Sequence, residues 1–347
     1  MKIAIHRNEK LFKHSTLWTT PWIEYCEKNQ IPYEIVDCYS NGILEKLKEF
    51  DCLLWHFSNY SYQDMLFART ILNAAKNMGL KTFPEPEACW HFDDKVAEMY
   101  LLQSAEAPIP ESYTFYTIED LKNWAENYQS YPIVGKLRCG SGSSNVKLLK
   151  SKHDLISYGK KMFQKGYSPA PNLLYKTKSN VKSSKNWETF VKRFKRIPDF
   201  LETIKKSKMA PRERGYCYLQ EFVPNDGFDL KIVVVGDKLS YIVRNTRKGD
   251  FRASGGGDLF FDKTYVTPDI IKTAFETSER LGVLCMGYDY VVDKRTNTGK
   301  IVEMSYGFSH TALMGAEGYW TRDGVWHDEA LNAPNEIIRC LTGEKKA

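Results

Sequence analysis

Three short runs rich in β-branched and aromatic residues, 218–222, 230–235 and 239–244, follow one another with turn chemistry between them. Pro224-Asn225-Asp226-Gly227 separates the first two, and Gly236-Asp237-Lys238 the second two. Runs of this kind punctuated in this way predict an antiparallel meander. Its first strand ends in Gln220-Glu221-Phe222-Val223, whose backbone can offer donors and acceptors to a purine edge, and Asp229 follows with a carboxylate suited to a ribose diol. A meander without a ligand satisfies the same pattern. The loop beyond it adds chemistry: Arg244, Arg247 and Arg252 lie close in sequence to Gly255-Gly256-Gly257. Planar guanidinium groups beside flexible backbone suit phosphate or carboxylate recognition.

The chain has 347 residues, enough for two or three domains. Hydrophobic residues make up 42% and charged residues 27%, which excludes a disordered polymer. No apolar run reaches the length of a membrane span and the N-terminus lacks a signal-peptide core, so a cytoplasmic protein without a transmembrane segment is expected. The eight cysteines show no CxxC pair and no zinc spacing, and free thiols are expected. Cys139, in a glycine-rich loop, is the one placed to be a nucleophile, but no histidine partner is signalled beside it.

Residues 1–92 alternate between strand and helix: strands at 2–6, 33–38, 52–57 and 81–84, and helices at 20–29, 43–50 and 62–78. This predicts a small parallel α/β domain, whose ligands would sit at the carboxyl ends of the strands, where His6, Arg7, His56 and Ser58 fall. The absence of GxGxxG after the first strand argues against a dinucleotide site of the usual kind. His6, Arg7, Trp55 and His56 either shape a pocket for an acceptor substrate or pack as ordinary loop residues.

Next, Asp93 or Asp94 can cap a helix running to about residue 103, with Lys95 in its first turn. A cation there opposes the helix dipole, a misfit that an anionic ligand would relieve and that solvent would also tolerate. Strands at 132–136 and 145–149 flank Gly140-Ser141-Gly142-Ser143-Ser144, and Lys136 stands at the root of that loop. Exposed backbone N–H groups and hydroxyls can close over phosphate oxygens, with Lys136 as a point charge. The pattern is not GxxxxGK[ST], so a P-loop fold is disfavoured.

From 160 to 214 there are sixteen Lys or Arg and four Asp or Glu, a local charge of +12 against +6 for the whole chain. Helices at 187–196 and 198–207 fit the pattern. The stretch is either a docking surface for an anionic partner or a solvated basic face. No nucleic-acid-binding fold is recognisable, and a nucleic-acid partner is not expected.

Strands at 287–292 and 300–304 form a hairpin. Asp289, Glu303 and Ser305 have the parity to share one face of it, giving two carboxylates and a hydroxyl as oxygen ligands for an Mg²⁺ that also holds nucleotide phosphates. A solvent-facing Asp289 is the plain alternative.

Taken in order, DK at 94–95, PIVGK with its Gly/Ser loop, YLQEFVP with a following Asp, GDFR, GYDY and IVEMS resemble the ATP-grasp superfamily over nearly the whole chain. The pattern is similar to ribosomal-protein glutamate ligases, more distantly to D-alanine:D-alanine ligases, and its C-terminal half to ATP-grasp proteins of capsular polysaccharide loci. The resemblance implies an α/β (α+β) fold with an N-terminal parallel domain over 1–92, a central ATP-clamping subdomain over 93–219 with a basic insertion at about 168–214, and a second clamping subdomain over 220–347. It implies that Lys95 and Lys136 contact ATP phosphates under the loop Gly140, Ser141, Gly142, Ser143, Ser144. It also implies that Gln220, Glu221, Phe222 and Val223 form the adenine hinge and Asp229 the ribose contact. Asp289, Glu303 and Ser305 would hold Mg²⁺, and Arg252, with Arg244 as a second candidate, would stabilise the transferred phosphoryl group. Ser305 and Ser254 stand where relatives usually carry Asn, and Lys231 where the glutamate ligases carry Arg.

The implied activity is an ATP- and Mg²⁺-dependent carboxylate–amine ligase. A carboxylate takes the γ-phosphoryl group, and an amine attacks the acyl phosphate, releasing ADP and phosphate. Small-molecule acid and amine substrates are expected, with an anionic sugar or glycan precursor suggested by the charge of the basic insertion and a place in polysaccharide biosynthesis implied by the resemblance to the proteins of capsular loci. A homodimer is left open, as are a non-catalytic ATP-binding scaffold and a small-molecule kinase.

Overall fold

The computed structural model describes residues 1–7, 18–59, 61–140, 146–168, 212–246 and 258–343. Ser141, Gly142, Ser143, Ser144, Arg247, Arg252, Ser254, the glycines at 255–257, the helices expected over 187–207 and nearly all of the basic insertion lie outside the described residues. The chain forms two compact units, one of Met1–Pro110 with Val223–Ala347 and the other of Glu111–Phe222.

The first unit opens with a parallel sheet of β1 (Ile3–His6), β2 (Tyr33–Val36), β3 (Cys52–Leu54) and β4 (Lys81–Phe83), in the order β2-β1-β3-β4. Helices α1 (Thr19–Lys28), α2 (Ile43–Leu47) and α3 (Tyr62–Asn77) connect them. All of β1 and β3 is buried, as strands covered on both faces require, and apart from His6 at the end of β1 their residues are apolar. The N-cap of α3 is Ser61, whose side chain accepts from Asp64 N at 3.2 Å. Helices α4 (Pro86–Cys89) and α5 (Lys95–Ser104) follow, and Asp94 caps α5 by accepting from Ala97 N at 3.1 Å.

The second unit is an antiparallel sheet of β5 (Ser112–Phe115), β6 (Ile133–Lys136), β7 (Val146–Leu149) and β8 (Cys217–Glu221), in the order β5-β8-β6-β7, with α6 (Ile118–Asn127) and α7 (Lys152–Phe163). Gly159 lets the two helices close on each other: a Cβ there would lie 2.1 Å from Leu121 Cδ2.

Returning to the first unit, β9 (Phe228–Val235), β10 (Lys238–Asn245), β11 (Leu259–Phe260), β12 (Cys285–Asp293), β13 (Thr298–Ser305), β14 (Tyr319–Thr321) and β15 (Trp326–His327) form one sheet. Its order is β13-β12-β9-β10-β14-β15, with β11 also on β10. Helix α8 (Pro268–Leu281) covers one face, where Ser278 and Tyr288 hydroxyls meet at 2.8 Å and Thr273 and Tyr290 hydroxyls at 3.1 Å. Helices α9 (His310–Leu313) and α10 (Ala333–Thr342) complete the unit.

The three-strand meander expected over 218–244 does not form. Strand β8 pairs with β5 and β6, and only β9 and β10 make a hairpin. The loop between β8 and β9 closes on itself instead. Asn225 Nδ2 donates to Val223 O and Asn225 Oδ1 accepts from Gly227 N, each at 3.0 Å, while Gly227 takes a φ of 84°. The side chain thus holds a wide turn that carries the chain out of one sheet and into another. The helices α4, α7, α8, α9 and α10 and the strands β11, β14 and β15 are elements that the sequence pattern leaves unassigned.

Candidate active site

Because side chains alternate along a strand, Tyr288 and Tyr290 face α8 and Asp289 faces the opposite side. On that opposite face the register lines up charges. Asp289 stands across from Glu303 on β13 and from Lys231 on β9. Two residues earlier on β9, Asp229 stands across from Arg244 on β10. Directly opposed residues of an antiparallel pair are the ones whose side chains meet. Lys231 Nζ accordingly contacts Asp289, Arg244 Nη2 lies 3.1 Å from Asp289 Oδ2, and Arg244 Nε donates to Asp229 Oδ1 at 2.5 Å. Asp229, Lys231 and Asp289 are buried. Gly287, two residues before Asp289, leaves the space this row needs, since a Cβ there would meet Ser305 O at 3.2 Å and Lys231 Cδ at 3.3 Å.

Electrostatics follow from burial and from who pairs with whom. Burial raises the Asp229 pKa to about 6, and Asp289 adds to that, against the pull of Arg244. Burial opposes ionisation of Asp289 as well, but Arg244 and Lys231 together outweigh it and hold the carboxyl below its ordinary value. The guanidinium of Arg244, between two acids, is held above its ordinary pKa despite burial.

A second group comes from α5. Lys95, at the first helical position, is buried and donates to Glu303 Oε1 at 3.1 Å. Glu98, one turn further along the same face, is buried too, and its Oε2 accepts from Met304 N at 3.4 Å. Burial, relieved by Lys95 but reinforced by Glu303, lifts the Glu98 pKa to about 8. Burial would lower the Lys95 pKa, yet Glu303, Glu98 and Asp93 outweigh it and raise it. Glu98 was not singled out from the sequence. Its signal was the i, i+3 spacing from Lys95, which an ordinary solvated helix acid shares.

In the other unit, Lys136 and Gln220 are buried, and Lys136 Nζ donates to Gln220 Oε1 at 2.6 Å. Gln220 Nε2 in turn donates to Ser112 Oγ at 3.2 Å, which fixes the amide. The Gln220 side chain therefore serves the lysine. Glu221 ends β8 and Phe222 closes the unit, while Val223 returns the chain to the first. Gly140, at a φ of 126°, takes a backbone conformation that other residues rarely adopt, directly before the loop of serines.

Ser305 Oγ donates to Gly307 O at 2.9 Å and accepts from Gly307 N at 3.1 Å, so its hydroxyl serves its own turn. His6, Trp55 and His56 lie among aromatic rings: His6 packs on Trp55, and His56 stacks on Trp18 with ring centres 4.6 Å apart. Burial lowers the pKa of His6 and brings that of His56 to about 3.

Among the described residues no three His, Cys, Asp or Glu side chains assemble as a metal-holding group. The donor chemistry of Asp289 and Glu303 suits a hard cation all the same. They are directly opposed across β12 and β13, the Glu303 side chain is 32% exposed, and Asp289 is buried with its carboxylate oxygens on Lys231 and Arg244. The eight cysteines are free, and no described helix is long and apolar enough to cross a membrane.

A parallel α/β layer, a four-stranded antiparallel unit and a larger sheet with charges paired across one face make up the ATP-grasp fold. The D-alanine–D-alanine ligase from Bacillus anthracis complexed with ATP superposes with a TM-score of 0.58 at 13% identity, covering 99% of both chains. A RimK domain ATP-grasp protein from Sphaerobacter thermophilus gives 0.53 at 14% identity, covering 99% of this chain and 100% of that one. In sequence the chain is similar to the tetrahydromethanopterin:alpha-L-glutamate ligase of Methanosarcina acetivorans, 24% identical over 288 residues, 81% of this chain and 76% of that one. No family model matches the chain.

Proposed function

We propose that this protein is an ATP- and Mg²⁺-dependent carboxylate–amine ligase that makes an amide through an acyl phosphate. The observation that carries the reading is the row Glu303, Asp289, Lys231 on one sheet face with Lys95 upon it, within an ATP-grasp fold. Asp289 and Glu303 would hold Mg²⁺, which when bound offsets the negative charge of the phosphate oxygens. Lys95 and Lys136 bind phosphate oxygens, with Gln220 orienting the Lys136 ammonium. Gly140 with Ser141, Gly142, Ser143 and Ser144 covers those phosphates. Glu221, Phe222 and Val223 present backbone to adenine, and Asp229 accepts from the ribose through the oxygen that Arg244 does not engage.

The carboxylate substrate attacks the γ-phosphorus, and Arg252 offsets the charge of the transferring group, with Arg244 as the second candidate. Arg244 is already committed to Asp229 and Asp289, which favours Arg252 for that task. An amine then displaces phosphate from the acyl group. No nucleophilic side chain is required, because positioning and fixed charge suffice. Ser305 supports its own turn in this reading, leaving the metal to the two carboxylates.

For substrates, the name of the Methanosarcina relative makes L-glutamate the first amine to test. The net charge of +12 over 160–214 supports an acidic acceptor such as a sugar nucleotide or glycan precursor, in cell-surface polysaccharide modification in the cytoplasm. The test is ADP and AMP release from ATP and Mg²⁺ against a panel of uronic acids, sugar nucleotides and amino acids, with Glu303→Gln as control. ADP release requiring both an acid and an amine, and lost in the control, is expected. Stable phosphorylated product without an amine would make the protein a kinase, and ATP binding without turnover would make it a scaffold.

A further inference from the structure

The carboxylates assigned to the metal are already in contact with the protein's own cations. Glu303 Oε1 receives Lys95 Nζ at 3.1 Å. Asp289 is engaged on both oxygens, by Lys231 on Oδ1 and by Arg244 Nη2 at 3.1 Å on Oδ2. The side chains of Lys95, Lys231, Arg244 and Asp289 are between 7% and 15% exposed, so water screens these contacts little. Strand register and a capped helix fix the arrangement: Lys231 is the Cα partner of Asp289, and Asp94 holds the first turn of α5 that carries Lys95.

A divalent cation arriving by itself would have to take oxygens from three like charges and add its own charge beside them in a poorly screened place, even though Arg244 keeps Asp229 and Lys95 keeps Glu98 nearby. Nucleotide phosphates arriving with it supply new anionic partners for the ammonium groups.

We infer that Lys95, Lys231 and Arg244 are resident counter-ions of the metal carboxylates, so that divalent metal binds this protein only together with nucleotide. This rests on the ligase reading, in the assignment of Asp289 and Glu303 to the metal. It adds an order of loading and a role for Lys231, a residue to which that reading gives no task.

The test uses the full chain and Mn²⁺ as the probe, with protein-retained metal measured by equilibrium dialysis with and without ATP. Retention with ATP and none at sub-millimolar Mn²⁺ without it is expected of the unaltered protein. Lys231→Met and Lys95→Met, which keep the apolar stem and remove the charge, should each raise nucleotide-free affinity by about tenfold or more. Retention by the unaltered protein without ATP as tight as with it would overturn the inference while leaving the ligase reading standing. So would unchanged nucleotide-free affinity in both variants, with native far-UV circular dichroism showing that they fold. If the variants do not fold, the comparison of the unaltered protein with and without ATP decides alone. Retention in neither condition would remove the metal site, and with it both readings.

Discussion

Lys95 is a lysine in the first turn of a helix, where its charge opposes the dipole, and its ammonium rests on Glu303, 208 residues further along the chain. The local misfit could be read from the sequence. The partner could not, because only the fold brings β13 under α5, and Glu98 was passed over because an acid three residues after a lysine reads as a solvated pair. Removing the lysine charge leaves Glu98 and Glu303 facing each other in a buried place, so Lys95→Met should cut turnover by about a hundredfold or more, with ADP release as the measure. Lys95→Arg should recover little, since a forked guanidinium does not replace a compact ammonium at 3.1 Å. Glu85 offers a residue-scale pH effect away from the site. Burial lifts its pKa from 4.5 to about 7 while Oε1 accepts from Leu284 N at 2.9 Å. The folded state therefore holds more protons than the unfolded one between those values, and stability falls as pH rises through that window. Glu85→Gln keeps an acceptor for Leu284 and should flatten that slope, raising stability at alkaline pH by about 3 kcal/mol at most, as read from denaturant midpoints.

At the scale of elements, the β12–β13 hairpin was legible because alternation over apolar strands with Thr-Gly turn chemistry has few alternatives, and its register places Asp289 against Glu303. Strand β8 was misassigned for the converse reason: turn residues mark where a strand ends, and do not say which strand it pairs with. Helix α8 carries plain signals in the sequence, a Thr267 cap, Pro268 and a left-handed Gly282. The C-terminal helix α10 is tied to the start of β10 by Lys238 and Glu336, buried and 2.7 Å apart, with Arg339 also on Glu336. Glu336→Leu strands Lys238 without a carboxylate and should cost about 3 kcal/mol in urea unfolding. Lys238→Met leaves Glu336 with Arg339 and should cost much less. In the double variant most of the stability lost in Glu336→Leu should return, because the penalty is the unpaired charge.

At the scale of the molecule, the parallel layer was legible in the alternation of strand and helix over 1–92, and the ATP-grasp fold because six motifs in a fixed order constrain a topology far more than any one of them. Residues 1–110 and 223–347 form one unit, a grouping that sequence-local reading divides at 92 and 219 because it has no access to packing between distant segments. The basic stretch belongs to this scale, since charge acts over the whole surface. Replacing Lys192, Arg193, Lys195 and Arg196 by Gln should lower turnover with an acidic acceptor several-fold at low salt and weaken its salt dependence. Unchanged kinetics would remove the stretch from acceptor binding. The central claim, amide formation through an acyl phosphate, is tested most directly by the fate of carboxylate oxygen. With the acid substrate labelled with ¹⁸O and phosphate read by mass spectrometry, the expected result is one labelled oxygen in inorganic phosphate for each amide formed. Label in AMP, or amide formed with unlabelled phosphate, would contradict the account.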